Sequence, residues 1–125
     1  QADTLCLNGR NIPVRARGNG VIWFDFEALC DGPRSKVDYV ELSRSFHTLL
    51  ISGIPRFDTE REDAARRLVE LIDELYDRRV NVIVSAAAPA SELYQGDRLT
   101  EDFARTASRL HEFQSEDYLA SAHRP

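Results

Sequence analysis

TEREDAARRLVELIDELYDRRVNVIVSAAAPASELY, residues Thr59 to Tyr94, decides the fold of this chain. Thr59 has the character of a helix N-cap, with Glu62 three residues on at the capping-box spacing. Asp58, Glu60, Glu62 and Asp63 place negative charge at the positive end of the helix dipole. Leu68, Leu71, Ile72, Leu75 and Tyr76 recur at the spacing of one apolar helical face. Arg78 and Arg79 fall in the last turn, where cations are favoured. The spacing therefore predicts a helix from about Glu60 to Arg78. Val82, Ile83 and Val84 then form a β-branched run, the pattern of a strand buried on both faces. A helix feeding such a strand is half of an α/β layer.

Outward from this stretch, the N-terminal quarter reads as an antiparallel meander. Asn8-Gly9 is a strong hairpin signal. Ile12, Val14 and Ala16 alternate with Pro13, Arg15 and Arg17, a strand with one wet face. Gly18-Asn19-Gly20 marks a second turn, and Val21 to Phe24 a third strand. Phe26 to Cys30 reads as a short helical turn, and Ser35 or Asp38 caps a second helix to about Arg44 or Ser45, with Tyr39, Val40 and Leu42 inward. Leu49-Leu50-Ile51 reads as another buried strand, closed by Gly53 and Pro55. Glu101 to about Phe113 is helical in pattern, Ser115 starts a last short helix, and the tail from Ser121 is expected to fray. The expectation is an α/β fold: a mixed sheet of about five strands with an antiparallel N-terminal meander and helices packed on it. Its parts are a meander at 1–25, an α/β core at 26–100 and C-terminal helices at 101–125.

The 125 residues suit one domain or a piece of one, with 42% hydrophobic and 30% charged residues. A net charge of -5 supplies no global basic field for nucleic acid or an acidic membrane. No apolar run approaches the roughly 18 residues that a bilayer span needs. Cys6 and Cys30 lie far apart in no metal spacing and read as two buried thiols in a reducing compartment, with a disulfide as the alternative. The chain opens on Gln1 and has no Met, which reads as part of a longer protein.

Few residues advertise chemistry. Leu71-Ile72-Asp73-Glu74 imitates a Walker B motif, but its apolar residues keep helical spacing, so solvated helix charges are the better reading. GxxxxGK[ST] is absent, and the sole lysine, Lys36, follows Ser35 rather than a glycine. His47, His111 and His123 share no ligand spacing, so no metal site is expected. Arg105 and Arg109 are four apart, so a helix puts both guanidinium groups on one face, where they can fork onto a phosphate or carboxylates. The plainer alternative pairs them with Asp102, Glu112 or acids of the long helix.

A longer string of motifs carries a resemblance. It comprises Phe24-Asp25-Phe26-Glu27-Ala28-Leu29-Cys30, Asp38-Tyr39, Arg66-Arg67-Leu68, Leu71 to Tyr76, Glu92-Leu93-Tyr94, Arg105 to Leu110, Glu112, Gln114-Ser115 and Tyr118-Leu119. In order and spacing it resembles the C-terminal part of the ZapE cell-division ATPases and their mitochondrial Afg-type relatives, a P-loop AAA+-like family. The resemblance runs from Asn8 to His123. It departs from the family at Phe113, where the family usually has Met, and it lacks the upstream Walker A and Walker B segments.

The resemblance implies a parent that hydrolyses ATP with Mg²⁺, and no cofactor for this piece alone. It implies a protein partner, a division-ring protein in bacteria, and allows a homo-oligomeric parent. It implies bacterial cytoplasm, or mitochondrial matrix for a eukaryotic member. It also suggests Arg105 and Arg109 as contacts to nucleotide phosphate, since such proteins commonly send an arginine from a C-terminal region to the site. Two other readings stand beside it. One is a plain interaction module using a sheet face or the Trp23-Phe24-Phe26 cluster. The other is small-molecule binding at the end of the Val82–Val84 strand near Ser85.

Overall fold

Two asparagine–glycine turns organise the first 25 residues. A computed structural model of the chain describes residues 3–119 and 122–123. Asn8 and Gly9 both adopt left-handed backbone, with φ of 51° and 83°. They fold Asp3–Leu7 (β1) back onto Arg10–Val14 (β2), with Leu7 opposite Arg10. This is the two-residue hairpin that Asn-Gly favours, because its twist matches that of the strands. Asn19 and Gly20, with φ of 56° and 80°, repeat the turn between Ala16–Gly18 (β3) and Val21–Asp25 (β4).

The meander is divided between two sheets. β1 and β2 form one sheet, and β3, β4, Thr48–Ile54 (β5) and Asn81–Ala86 (β6) form another in that order. The strand expected to run through Ala16 breaks at a bend at Arg15. The break lets Ile12 and Val14 turn into the core while β3 pairs with β4. There are six strands among the described residues rather than about five.

β4, β5 and β6 are parallel, with Ile22, Leu49 and Val82 in one cross-strand row and Trp23, Leu50 and Ile83 in the next. Phe26–Cys30 (α1) and Lys36–Ser45 (α2) connect β4 to β5. Glu62–Asp77 (α3) connects β5 to β6. α2 and α3 pack on each other. Ile22, Phe24, Leu49, Ile51 and Val82 join Leu68, Leu71, Ile72 and Leu75 of α3 in one buried cluster. Thr100–Glu112 (α4) and Glu116–Leu119 (α5) are the last two helices among the described residues. The expected fraying from Ser121 falls on a residue outside those described.

Three boundary expectations are corrected. β6 is an edge strand, so it is not buried on both faces: Val82 is buried, but Ile83 is 58% and Val84 36% exposed. Thr59 does not cap α3. The Asp58 carboxylate accepts from the Glu60 N–H at 2.9 Å and holds residues 58–61 in a turn, so the helix starts at Glu62 with Arg61 as its cap. Arg78 and Arg79 lie beyond the last helical residue. Arg79 is left-handed at φ 59°, its N–H donates to the Tyr76 carbonyl and that of Val80 to Leu75. That is a Schellman ending with arginine where glycine is usual. α2 behaves as expected at its start, where Asp38 accepts from the Ser35 N–H at 3.0 Å. Tyr39 and Leu42 are buried, but Val40 only half so.

Candidate functional site

α4 is placed by aromatics. Phe57, fully buried, lies 5.5 Å from Phe26 and 5.6 Å from Phe103, and Tyr94 stacks on Phe103 at 5.3 Å. Glu62 ties down the loop leading to α4. Its carboxylate accepts from the Tyr94 hydroxyl at 2.6 Å and from the Asp97 and Arg98 N–H groups at 2.8 and 3.1 Å. The Tyr94 hydroxyl bond chiefly holds Glu62 below the usual carboxylate range. Glu62 thus serves this loop rather than a capping box.

Once α4 lies against α3, Arg105 and Arg109 do share a face, and both meet the same carboxylate. Arg105 reaches Asp73 at 3.2 Å and Asp102 at 3.5 Å, while Arg109 bonds the other oxygen of Asp73. The Asp73 bond, then its charge, holds Arg105 still more firmly protonated than usual. Arg109 also lies over the Tyr76 ring, 4.6 Å from its centre. Tyr76 donates its hydroxyl to Glu112 at 2.8 Å, which raises the phenol's pKa. The result is a clasp of two cations and one carboxylate, with Asp73 30% and Arg105 45% exposed at the side chain.

In chemical terms, two guanidinium forks held on one face can accept an oxyanion, and Asp73 occupies that place. The imitation of Walker B lies within α3, so Asp73 and Glu74 do not stand at a strand end. The sequence pointed to the arginines and named helix acids as partners. Glu112 was among the partners expected for the arginines but instead accepts from Tyr76, and Tyr76 was missed as a member of the clasp. Tyr76 lies three residues beyond Asp73 on the same helical face, and that spacing was the available signal.

The other candidates separate. His47 bonds Thr48 and the Asn19 carbonyl, and His123 the Ser43 carbonyl. No three His, Cys, Asp or Glu residues converge on a metal position among the described residues. Both cysteines are free, but the expectation of two buried thiols holds only for Cys30, whose pKa burial pushes up to about 12; Cys6 is exposed on the outer face of the β1–β2 hairpin. Ser85 accepts from the Gly53 N–H at 2.9 Å. A groove of about 620 Å³ lies between α4 and the turn at Ala90–Glu92, with Tyr94, Phe103, Ser108 and His111 on its walls. Phe24 and Phe26 are core, while Trp23 sits on the opposite sheet face, donating to Ser52 at 2.6 Å beneath Arg15. Among the described residues, no helix is long and apolar enough to cross a membrane.

Comparison with known proteins adds a family. The family model described as AFG1-like ATPase matches residues 1–122. The chain is 43% identical over 120 residues to the cell division protein ZapE of Escherichia coli, covering 96% of this chain and 32% of that one. It is 38% identical over 92 residues to an uncharacterised protein of Schizosaccharomyces pombe, covering 74% and 20% of the two chains. It is 32% identical over 108 residues to lactation elevated protein 1 homolog B of Danio rerio, covering 86% and 22%. The chain thus spans about a third or less of the curated relatives it matches. No solved structure matches it.

Proposed function

The chain belongs to the AFG1-like ATPase family, and from that premise we propose that it is the C-terminal lobe of an ATP-hydrolysing protein of the ZapE type. In this reading the rest of the protein is of P-loop, AAA+ type and holds ATP and Mg²⁺. This lobe couples nucleotide state to a protein partner, and the parent acts in cell division in the bacterial cytoplasm, or in the mitochondrial matrix for a eukaryotic member. The lobe alone neither hydrolyses ATP nor binds it at millimolar or better affinity, a prediction that calorimetry checks directly.

The observation that supports an arginine role is the clasp itself. Arg105 and Arg109 converge on one part-exposed carboxylate, Asp73, between two helices. A phosphate carries more charge and more acceptor oxygens than a carboxylate and competes well for such forks. Asp73 then holds the pair in register until phosphate takes its place. Guanidinium groups placed there would stabilise the negative charge that builds up on the phosphoryl oxygens in the transition state and so accelerate hydrolysis.

The test separates this role from a purely structural one. This chain is grafted into E. coli ZapE in place of the matched residues, and ATP turnover and melting temperature are measured together. Arg109→Ala is expected to lower kcat by about tenfold or more, the scale of a lost charge-stabilising donor. Asp73→Ala should leave kcat within about twofold, since it frees the forks, while costing the helix contact a comparable stability. If kcat follows melting temperature in both variants, or survives Arg109→Ala, the arginines are structural. The second reading, a protein-binding module without a part in turnover, draws on the exposed Ile83 and Val84.

A further inference from the structure

The parallel strands are wound in one direction only. β4, β5 and β6 lie side by side in chain order. Parallel crossovers are right-handed, so two successive crossovers moving the same way put their helices on the same face. The burial agrees: Ile22, Phe24, Leu49, Ile51 and Val82 share the core with α3. The opposite face carries the row Trp23–Leu50–Ile83, none of which belongs to that core. Parallel sheets are almost always covered on both faces.

The free edge tells the same story. β3, at one edge, is three residues long and carries Arg17, paired with Asp3 at 3.3 Å, which blunts it. β6, at the other, presents Val82-Ile83-Val84-Ser85-Ala86 with neither charge nor proline. Natural edges are usually protected by one or the other. No strand pairs with the outer side of β6 among the described residues. A groove of about 540 Å³ follows it, walled by Val82, Ile83, Val84, Leu110, Phe113 and Leu119.

We propose that the outer edge of β6 and the Trp23–Leu50–Ile83 face form one docking surface for the part of an AFG1-like ATPase chain that this sequence does not span. The occupant supplies a strand alongside β6 and a helix over the Trp23–Leu50–Ile83 row. The 120 matched residues are 32% of the E. coli relative, so ample chain remains to supply both. A second copy of this chain fits less well. Two-fold pairing of β6 with β6 would cover the edge and leave the half-buried Trp23 and Leu50 as they are. The surface would make the lobe incomplete without its neighbour and set α4, with its arginines, rigidly against the ATP-holding part.

This rests on the attachment proposed above, but its test reads burial rather than turnover, so the two can fail separately. Hydrogen exchange of residues 82–86 is compared between the chain alone and the E. coli ZapE graft. The graft is expected to slow exchange at the outward amides by at least about tenfold. Ile83→Glu should leave the melting temperature of the chain alone within about 2 °C, as for an exposed site, and lower that of the graft by about 5 °C or more. Equal exchange in both proteins, with Ile83→Glu equally mild in both, would overturn the proposal. So would a chain that dimerises alone and protects β6 in the dimer.

Discussion

Asp38 shows how one residue can join two parts of this chain. It is 1% exposed, and it accepts from Asn8 and Arg10 at 2.8 Å each and from the Ser35 N–H at 3.0 Å. Hairpin and helix are thereby fastened to one carboxylate. Burial pushes its pKa up, but the Asn8 bond, the Ser35 N–H and the Arg10 charge outweigh it, so the net shift is downward. A depressed carboxylate contributes stability that is present above its unfolded pKa and lost as pH falls through its folded one. Asp38→Asn should therefore cost about 2 kcal/mol near neutrality, the scale of bonds to a charged group. It should also flatten the fall in stability below about pH 4, where ordinary aspartates titrate. Urea unfolding of both proteins across that range checks the magnitude and the sign. Asp38 was legible as a helix-start residue because Ser35 precedes it by three. Its bonds to Asn8 and Arg10 were not, because contacts across about 30 residues leave no local periodicity.

At the scale of elements, local chemistry was the most legible. Asn8-Gly9 and Asn19-Gly20 turn where their dipeptides say, since both need positive φ. Gly20 carries a second constraint, because a Cβ there would lie 2.5 Å from the His47 ring. Gly20→Ala should therefore destabilise by about 1–3 kcal/mol through backbone strain and steric conflict, and pairing it with His47→Ala should recover the steric part alone. Thermal unfolding of the two single variants and the double variant measures this. The start of α3 was misplaced because Asp58 bonds Glu60 locally while Glu62 is drawn to Tyr94 and the loop beyond it. A capping-box spacing describes an option, and the tertiary partner decided between options. The Arg105/Arg109 face was legible from spacing, whereas its convergence on Asp73 needed the packing of α4 on α3.

At the scale of the molecule, the α/β class and the mixed sheet were legible, because a strong helical face followed by a β-branched run leaves few alternatives. The exposure of β6 was not. Val82-Ile83-Val84 has the composition of a strand covered on both sides, and composition cannot say whether the cover lies within the same stretch of chain. That mismatch between an apolar run and an open edge fits a lobe within a longer ATPase chain. The most direct measurement is steady-state ATP turnover by three proteins: E. coli ZapE, ZapE lacking the matched residues, and ZapE with this chain in their place. The account predicts that deletion abolishes turnover and that the graft restores it to within about tenfold of the parent. A graft that folds, as shown by circular dichroism and a cooperative melt, yet hydrolyses no faster than the deletion would contradict it.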